Sequence, residues 1–206
     1  MKLHESSIAL IHGVENNRPK VLGSAFCFLK ANWFVTAKHV VEEHGLPREL
    51  LSMNVGGKLF RVSELWTHDQ RDIALIDLEQ PLCPEPHYPS HWSHEKEKGL
   101  IKVAYSPDHS KQDKRPIFYA THVKEYETSE RIREDGSELI FEFEDQGAEG
   151  GNSGGPIFSL SGGVVGIIID GVFMENSTTT KATDVKVLLE LVELNSEILT
   201  KHRTSG

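Results

Sequence analysis

The chain breaks into many short apolar runs separated by Gly, Pro, Asn and Asp, and only its last stretch has a helical period. Runs at residues 7–11, 23–29, 33–36, 51–55, 59–66 and 73–78 each have the length of a strand. After a segment at 81–98 rich in Pro, His and Glu, strand patterns resume at 100–105 and 117–126. Residues 134–136 turn the chain into a further strand at 138–143, as a hairpin. A Gly-rich stretch at 147–155 precedes two more strands, 157–160 and 164–169, joined by Ser161-Gly162-Gly163. Residues 185–200 place apolar side chains at 185, 188, 189, 192, 194, 198 and 199, one face of an amphipathic helix with Thr183 or Asp184 as its N-cap.

Many short strands and one helix suit sheets closed into barrels, although pattern alone does not separate barrels from a sandwich. The polar midpoint suggests two halves. The expected fold is all-β, two six-stranded antiparallel barrels over 1–80 and 99–184, joined by 81–98, with a C-terminal helix and tail over 185–206.

Bulk composition excludes several classes. Net charge is −9, and acids and bases are interleaved with no basic stripe, which argues against nucleic-acid or anionic-membrane binding. The longest early apolar stretch, 8–11, is far short of a signal-peptide core, and no segment has the length of a membrane span. Two cysteines, Cys27 and Cys83, are few for a secreted domain of 206 residues. Together these features predict a cytoplasmic protein.

The chemistry concentrates in Gly150-Gly151-Asn152-Ser153-Gly154-Gly155-Pro156. Glycines around a serine permit positive φ and leave its Oγ uncovered. They also let the N–H groups of Gly151 and Ser153 converge where an oxyanion would form in acyl transfer. A serine hydroxyl needs a base to take its proton. Of the 11 histidines, His39 alone directly follows a strand, within Val35-Thr36-Ala37-Lys38-His39-Val40-Val41. A carboxylate must then orient the imidazole, and Asp72 stands at the head of the apolar run Ile73-Ala74-Leu75-Ile76. Each residue taken singly has an ordinary reading as a turn serine, a half-buried histidine or a strand-start aspartate. Three together in the order His, Asp, Ser do not.

These segments resemble the trypsin-like (chymotrypsin-fold) peptidases: Gly23-Ser24-Ala25-Phe26 leading to His39, Arg71-Asp72-Ile73-Ala74-Leu75, and Gly151 to Pro156 followed by Val164-Val165-Gly166-Ile167. The compact spacing is closer to bacterial members such as the HtrA type, and the resemblance covers residues 5–184. It implies a single peptidase domain with the site between the barrels. It assigns His39 as general base and acid, Asp72 as its orienter, Ser153 as nucleophile, and the amides of Gly151 and Ser153 as the oxyanion hole. It also implies a protein or peptide substrate, no cofactor, and a substrate pocket walled by Gly147, Ala148, Glu149 and Gly150 on one side and Ile168, Ile169, Asp170 and Gly171 on the other. With no acid at Gly147, the expected residue before the cut is small or aliphatic, although Glu149 and Asp170 keep a basic preference open.

Departures from the family pattern are informative. Lys38 replaces a small residue, which is expected to alter the surface and not the mechanism. Val40 stands where the usual disulfide partner of Cys27 would be, so that bridge is not expected. Asn152 replaces the aspartate of clip-activated members, which argues against activation by N-terminal cleavage. Nothing after 184 resembles a PDZ region.

Cys83, His87, His91 and His94 have spacings that zinc could use, but the prolines among them and the loose spacing favour no metal. The helix is expected to pack on the second barrel and to solvate Glu190, Glu193 and Glu197. The leading function is a serine endopeptidase working through an acyl-enzyme; a further, compatible reading is that it rests latent until substrate or a regulatory protein partner orders its Gly-rich loop. The competing function is a catalytically silent barrel that serves as a binding module.

Overall fold

The computed structural model describes residues 5–15, 18–42, 47–90, 99–104, 117–122, 127–133, 136–144, 151–174 and 177–203. The first half forms β1 (Ile8–Glu15), β2 (Arg18–Cys27), β3 (Trp33–Thr36), α1 (Lys38–Glu42), β4 (Ser52–Val55), β5 (Lys58–Arg61), β6 (Glu64–Thr67) and β7 (Ala74–Asp77). These strands make one antiparallel sheet in the order β5-β4-β1-β2-β3-β7-β6. The run expected as a single strand at 59–66 is two strands, interrupted at Val62 and Ser63, and they occupy opposite edges of the sheet. Two residues span at most about 11 Å between flanking Cα atoms, so the sheet must curl until its edges meet. The sequence break is the closure of a barrel.

The second half forms β8 (Gly99–Ala104), β9 (Ile117–His122), β10 (Glu127–Arg133), β11 (Gly136–Glu144), β12 (Pro156–Ser159), β13 (Val164–Met174), β14 (Ser177–Asp184) and α2 (Val185–Arg203). Their order is β10-β11-β14-β13-β12-β8-β9, and residues 123–126 connect the two edges. The double-barrel expectation holds, with seven strands in each sheet where six were expected. The strands not expected are β6, split from β5, β10, and β14, whose Ser177-Thr178-Thr179-Thr180-Lys181-Ala182-Thr183-Asp184 has no apolar alternation. Small buried residues, Thr180, Ala182 and Thr183, fit β14 between β11 and β13.

Period-2 alternation divides the core in two. Ala25, Cys27, Phe34, Ala74 and Ile76 point into the first barrel with Ile11, Met53 and Val55. Their neighbours Phe26, Phe28, Val35, Ile73 and Leu75 point outward and pack against Val103, Phe158, Val164 and Ile167 of the second sheet and Val185, Leu188 and Leu191 of α2. Strands β2, β3 and β7 are therefore buried on both faces, which is why they read as unbroken apolar runs. Each fully buried phenylalanine, Phe26, Phe28 and Phe158, contributes about 1.5–3 kcal/mol. Helix α2 starts where expected: the Asp184 carboxylate accepts from the Lys186 N–H at 2.8 Å and caps it. It packs on β13 and β14 and also on β7 of the first barrel, while Glu190 and Glu193 stay exposed. No helix among the described residues is long and apolar enough to cross a membrane.

The segment after β7 laces the two barrels together. Leu82 and Cys83 donate their N–H groups to Ala31 O, and His87 pairs through its N–H with Cys27 O and through its carbonyl with Leu29 N. Ser90 N–H then donates to Val164 O, and Val164 N–H to Tyr88 O, on β13.

Candidate active site

Strand β3 delivers the chain to Ala37, and the short α1 that follows is anchored by buried Val40 and Val41. His39, between Lys38 and these anchors, is left partly exposed. Asp72 lies in the tight loop joining β6 to β7, where His68 N–H bonds to Ile73 O at 3.0 Å and Ile73 N–H to Arg71 O at 2.9 Å. The barrel brings these two side chains into contact. His39 Nδ1 is 2.7 Å from Asp72 Oδ2, and the His39 backbone N–H donates to Asp72 Oδ1 at 2.9 Å. The aspartate thus holds both ring and main chain of His39, and the 2.7 Å contact is in the range of charge-assisted hydrogen bonds. Nδ1 is thereby committed to the carboxylate.

Lys38, expected to matter only to the surface, reaches back across this loop. Its Nζ donates to His68 O at 2.9 Å and pairs with Glu42 at 3.7 Å. It ties the helix that carries His39 to the loop that carries Asp72.

Ser153 occupies the second position of a four-residue turn closed by Gly155 N–H to Asn152 O at 2.9 Å. The third position of such a turn takes positive φ, and Gly154 has φ +85°. A second constraint acts on Gly154, since a Cβ there would lie 2.1 Å from Ser24 O and 2.2 Å from Thr36 Oγ1. This close approach stitches the turn to the first barrel. Ser24 N–H donates to Ser153 O at 2.8 Å, Ser24 Oγ to Gly151 O at 2.7 Å, and Thr36 Oγ1 to Ser24 O at 2.8 Å. One residue of β2 therefore binds both the turn of Ser153 and the strand that leads to His39. From the other side, Gly154 N–H donates to Ile168 O at 2.7 Å and Ile168 N–H to Gly155 O at 2.9 Å, which docks the turn on β13. The N–H groups of Gly151 and Ser153 donate to no backbone carbonyl among the described residues.

Of the expected pocket walls, Gly147, Ala148, Glu149 and Gly150 lie outside the described residues. Ile168 is fully buried beside Gly155. Ile169 is half-buried at a bulge in the β13–β14 pairing and packs on the interior of the first barrel. Asp170 is exposed and pairs with Lys181, while Gly171 pairs with Thr180. As for the metal question, Cys83 lies beside Cys27 in the first barrel, and the His87 ring stacks edge-on against Phe158 at 4.7 Å. His91 and His94 are outside the described residues. The described residues hold no group of three or more metal-ligating side chains.

Ser24, Thr36 and Lys38 were not marked by sequence as site residues. Ser24 and Thr36 look like ordinary strand positions, and their importance follows from which strands the fold makes adjacent.

Several solved structures share this fold at low sequence identity. The active form of the Rv3671c protease from M. tuberculosis superposes with a TM-score of 0.71 at 17% identity, covering 92% of this chain and 80% of that one. The apo MamO protease domain from Magnetospirillum magneticum gives 0.66 at 14%, covering 90% and 95%. The HtrA-type protease AlgW, solved with a tripeptide, gives 0.67 at 15%, covering 93% of this chain and 60% of AlgW. No curated protein matches in sequence. The family model of the trypsin-like peptidase domain matches residues 23–167, and on that match, with this fold and this His–Asp contact, the chain belongs to the trypsin-like peptidases.

Proposed function

We propose that this protein is a serine endopeptidase in which Ser153, His39 and Asp72 form the catalytic triad. The observation that carries the reading is the two-point hold of Asp72 on His39, through Nδ1 at 2.7 Å and the backbone N–H at 2.9 Å. A carboxylate so placed fixes the tautomer with the proton on Nδ1 and stabilises the imidazolium that catalysis creates.

In this mechanism Nε2 of His39 takes the proton of Ser153 Oγ as the oxygen attacks the carbonyl carbon of the scissile peptide. The negative charge moves to the carbonyl oxygen, which accepts from the N–H groups of Gly151 and Ser153. The imidazolium then protonates the departing amine, and the C–N bond breaks to leave an acyl-enzyme. Water, deprotonated by the same ring, releases the acid and restores Ser153. Each oxyanion donor in such a site is worth about 10²–10³ in kcat.

The peptide bound by AlgW in its solved complex supports a peptide or protein substrate here. We extend the proposal to the pocket between 147–150 and 168–171, with a small or aliphatic residue before the cut. The cytoplasm is the proposed compartment, on the scarcity of cysteines. The sequence places glycines at 147, 150 and 151 before Ser153, and glycine leaves a backbone more conformations than any other residue. The enzyme is therefore proposed to rest latent until substrate or a partner orders that loop.

A fluorophosphonate probe tests the reading. Covalent labelling of the wild type that disappears in Ser153→Ala establishes an activated serine. An unlabelled, folded wild type that stays unlabelled in the presence of peptides sinks the proposal and favours the silent binding module.

A further inference from the structure

The chain's two cysteines, far apart in sequence, meet inside the first barrel. Cys27 is the last residue of β2, and Cys83 lies in the segment that leaves β7. Both are fully buried in one apolar cluster with Phe34, Ile76 and Leu78. Both are free thiols. The main chain sets them side by side. Cys83 N–H donates to Ala31 O at 3.0 Å, Cys27 Sγ donates to the adjacent carbonyl, Lys30 O, at 3.2 Å, and His87 N–H donates to Cys27 O at 3.0 Å. The 83–87 segment thus runs along the end of β2, with both thiols in the same buried cluster.

We propose that Cys27 and Cys83 are a redox modification site that closes reversibly to an intramolecular disulfide when the protein meets hydrogen peroxide. Proximity of the two thiols splits their acidities. The neighbouring Cys83 and burial push the Cys27 thiol up, while the neighbouring Cys27 holds the Cys83 thiol below its usual range against the opposing effect of burial. Cys83 is then the sulfur that ionises and reacts first.

The step balances. The Cys83 thiolate attacks one peroxide oxygen, the O–O bond breaks, and the products are a sulfenic acid and hydroxide, which takes up the thiol's proton as water. The Cys27 sulfur displaces the sulfenic hydroxyl, forming the S–S bond and a second water as its own proton leaves. Two thiols and one peroxide yield one disulfide and two waters. Burial selects a small oxidant, and the neighbouring Cys27 intercepts the sulfenic acid before further oxidation. An external dithiol reverses the bond by exchange.

The closed loop from Cys27 to Cys83 contains both His39 and Asp72, so the bond would constrain the part of the unfolded chain that carries them. Oxidation should raise Tm by on the order of 10 °C.

The test uses the full chain, exposed to hydrogen peroxide, then denatured in an alkylating reagent and weighed intact. The expected result is a mass lower by two hydrogens with no alkyl groups, a Cys27–Cys83 linked peptide on mapping, a higher Tm, and full reversal by dithiothreitol. Two alkylated cysteines after peroxide would overturn the proposal, as would separate oxygen additions to each sulfur or a bond between two chains. Cys27→Ser adds a check: Cys83 should now gain oxygen atoms, and a mass shift identical to the wild type's would count against the pairing.

Discussion

Acid should loosen this protein at one identifiable place, the His87 ring between the two barrels. Its backbone pairs with Cys27 and Leu29 of the first barrel, and its ring lies against Phe158 of the second. The Nε2 atom is sealed from water with no hydrogen-bond partner. Burial lowers the ring's pKa from 6.5 to about 4. In the folded protein the ring thus stays neutral down to pH 4, while in the unfolded chain it takes up a proton from pH 6.5 downward. Stability contributed by the neutral ring is complete above pH 6.5 and is lost as pH falls to 4. Below that both states are protonated and the loss stops. At 1.36 kcal/mol per pKa unit, a separation of about 2.5 units amounts to about 3 kcal/mol. Urea unfolding at intervals between pH 7 and pH 4 measures it, with His87→Phe as the reference. The phenyl ring keeps an edge-on contact with Phe158 and cannot be protonated, and groups elsewhere titrate alike in both proteins. The wild type should lose about 3 kcal/mol more than the variant across that window. Parallel loss in the two proteins would refute the reasoning.

Other outcomes follow from the same geometry. Asp72→Asn keeps the side chain's size but loses the carboxylate that fixes the tautomer, so kcat on a peptide substrate should fall by on the order of 10⁴ with the fold intact by circular dichroism. Gly154→Ala puts a methyl 2.1 Å from Ser24 O at a residue with φ +85°, and main-chain oxygens cannot yield as a side chain would. It should cost about 3 kcal/mol in urea unfolding and also reduce probe labelling of Ser153, because the turn must move off β2. Unchanged labelling would show that the contact is not what sets the serine.

Legibility of the fold tracked how local the cause was. The turn around Ser153 announces itself because its backbone demands glycine at a neighbouring residue, a requirement written in consecutive positions. The runs 26–28, 33–35 and 73–76 were legible as strands for a similar reason, since burial on both faces removes every polar residue from them. β14 was not, because a threonine-rich strand needs no apolar alternation when small side chains fit it between two neighbours. The extent of β1 and β2 was also hidden, since their outer ends, Gly13↔Lys20, Val14↔Pro19 and Glu15↔Arg18, carry a glycine, a proline and charged residues in place of an apolar run.

By itself the sequence determined the class of fold, the two-part organisation of the strand pattern, and which His, Asp and Ser to watch. Those follow from residue type and short-range spacing, which act before any tertiary contact forms. Tertiary structure alone decided who meets whom: Asp72 on His39, Ser24 between the serine turn and Thr36, Lys38 on the loop of Asp72, Cys83 against Cys27, and His87 against Phe158. None of these pairs is local in sequence; closure of the first barrel and docking of the two sheets bring them together. That closure depends on the summed burial of β2, β3 and β7 on both faces, a cooperative quantity that no single segment carries.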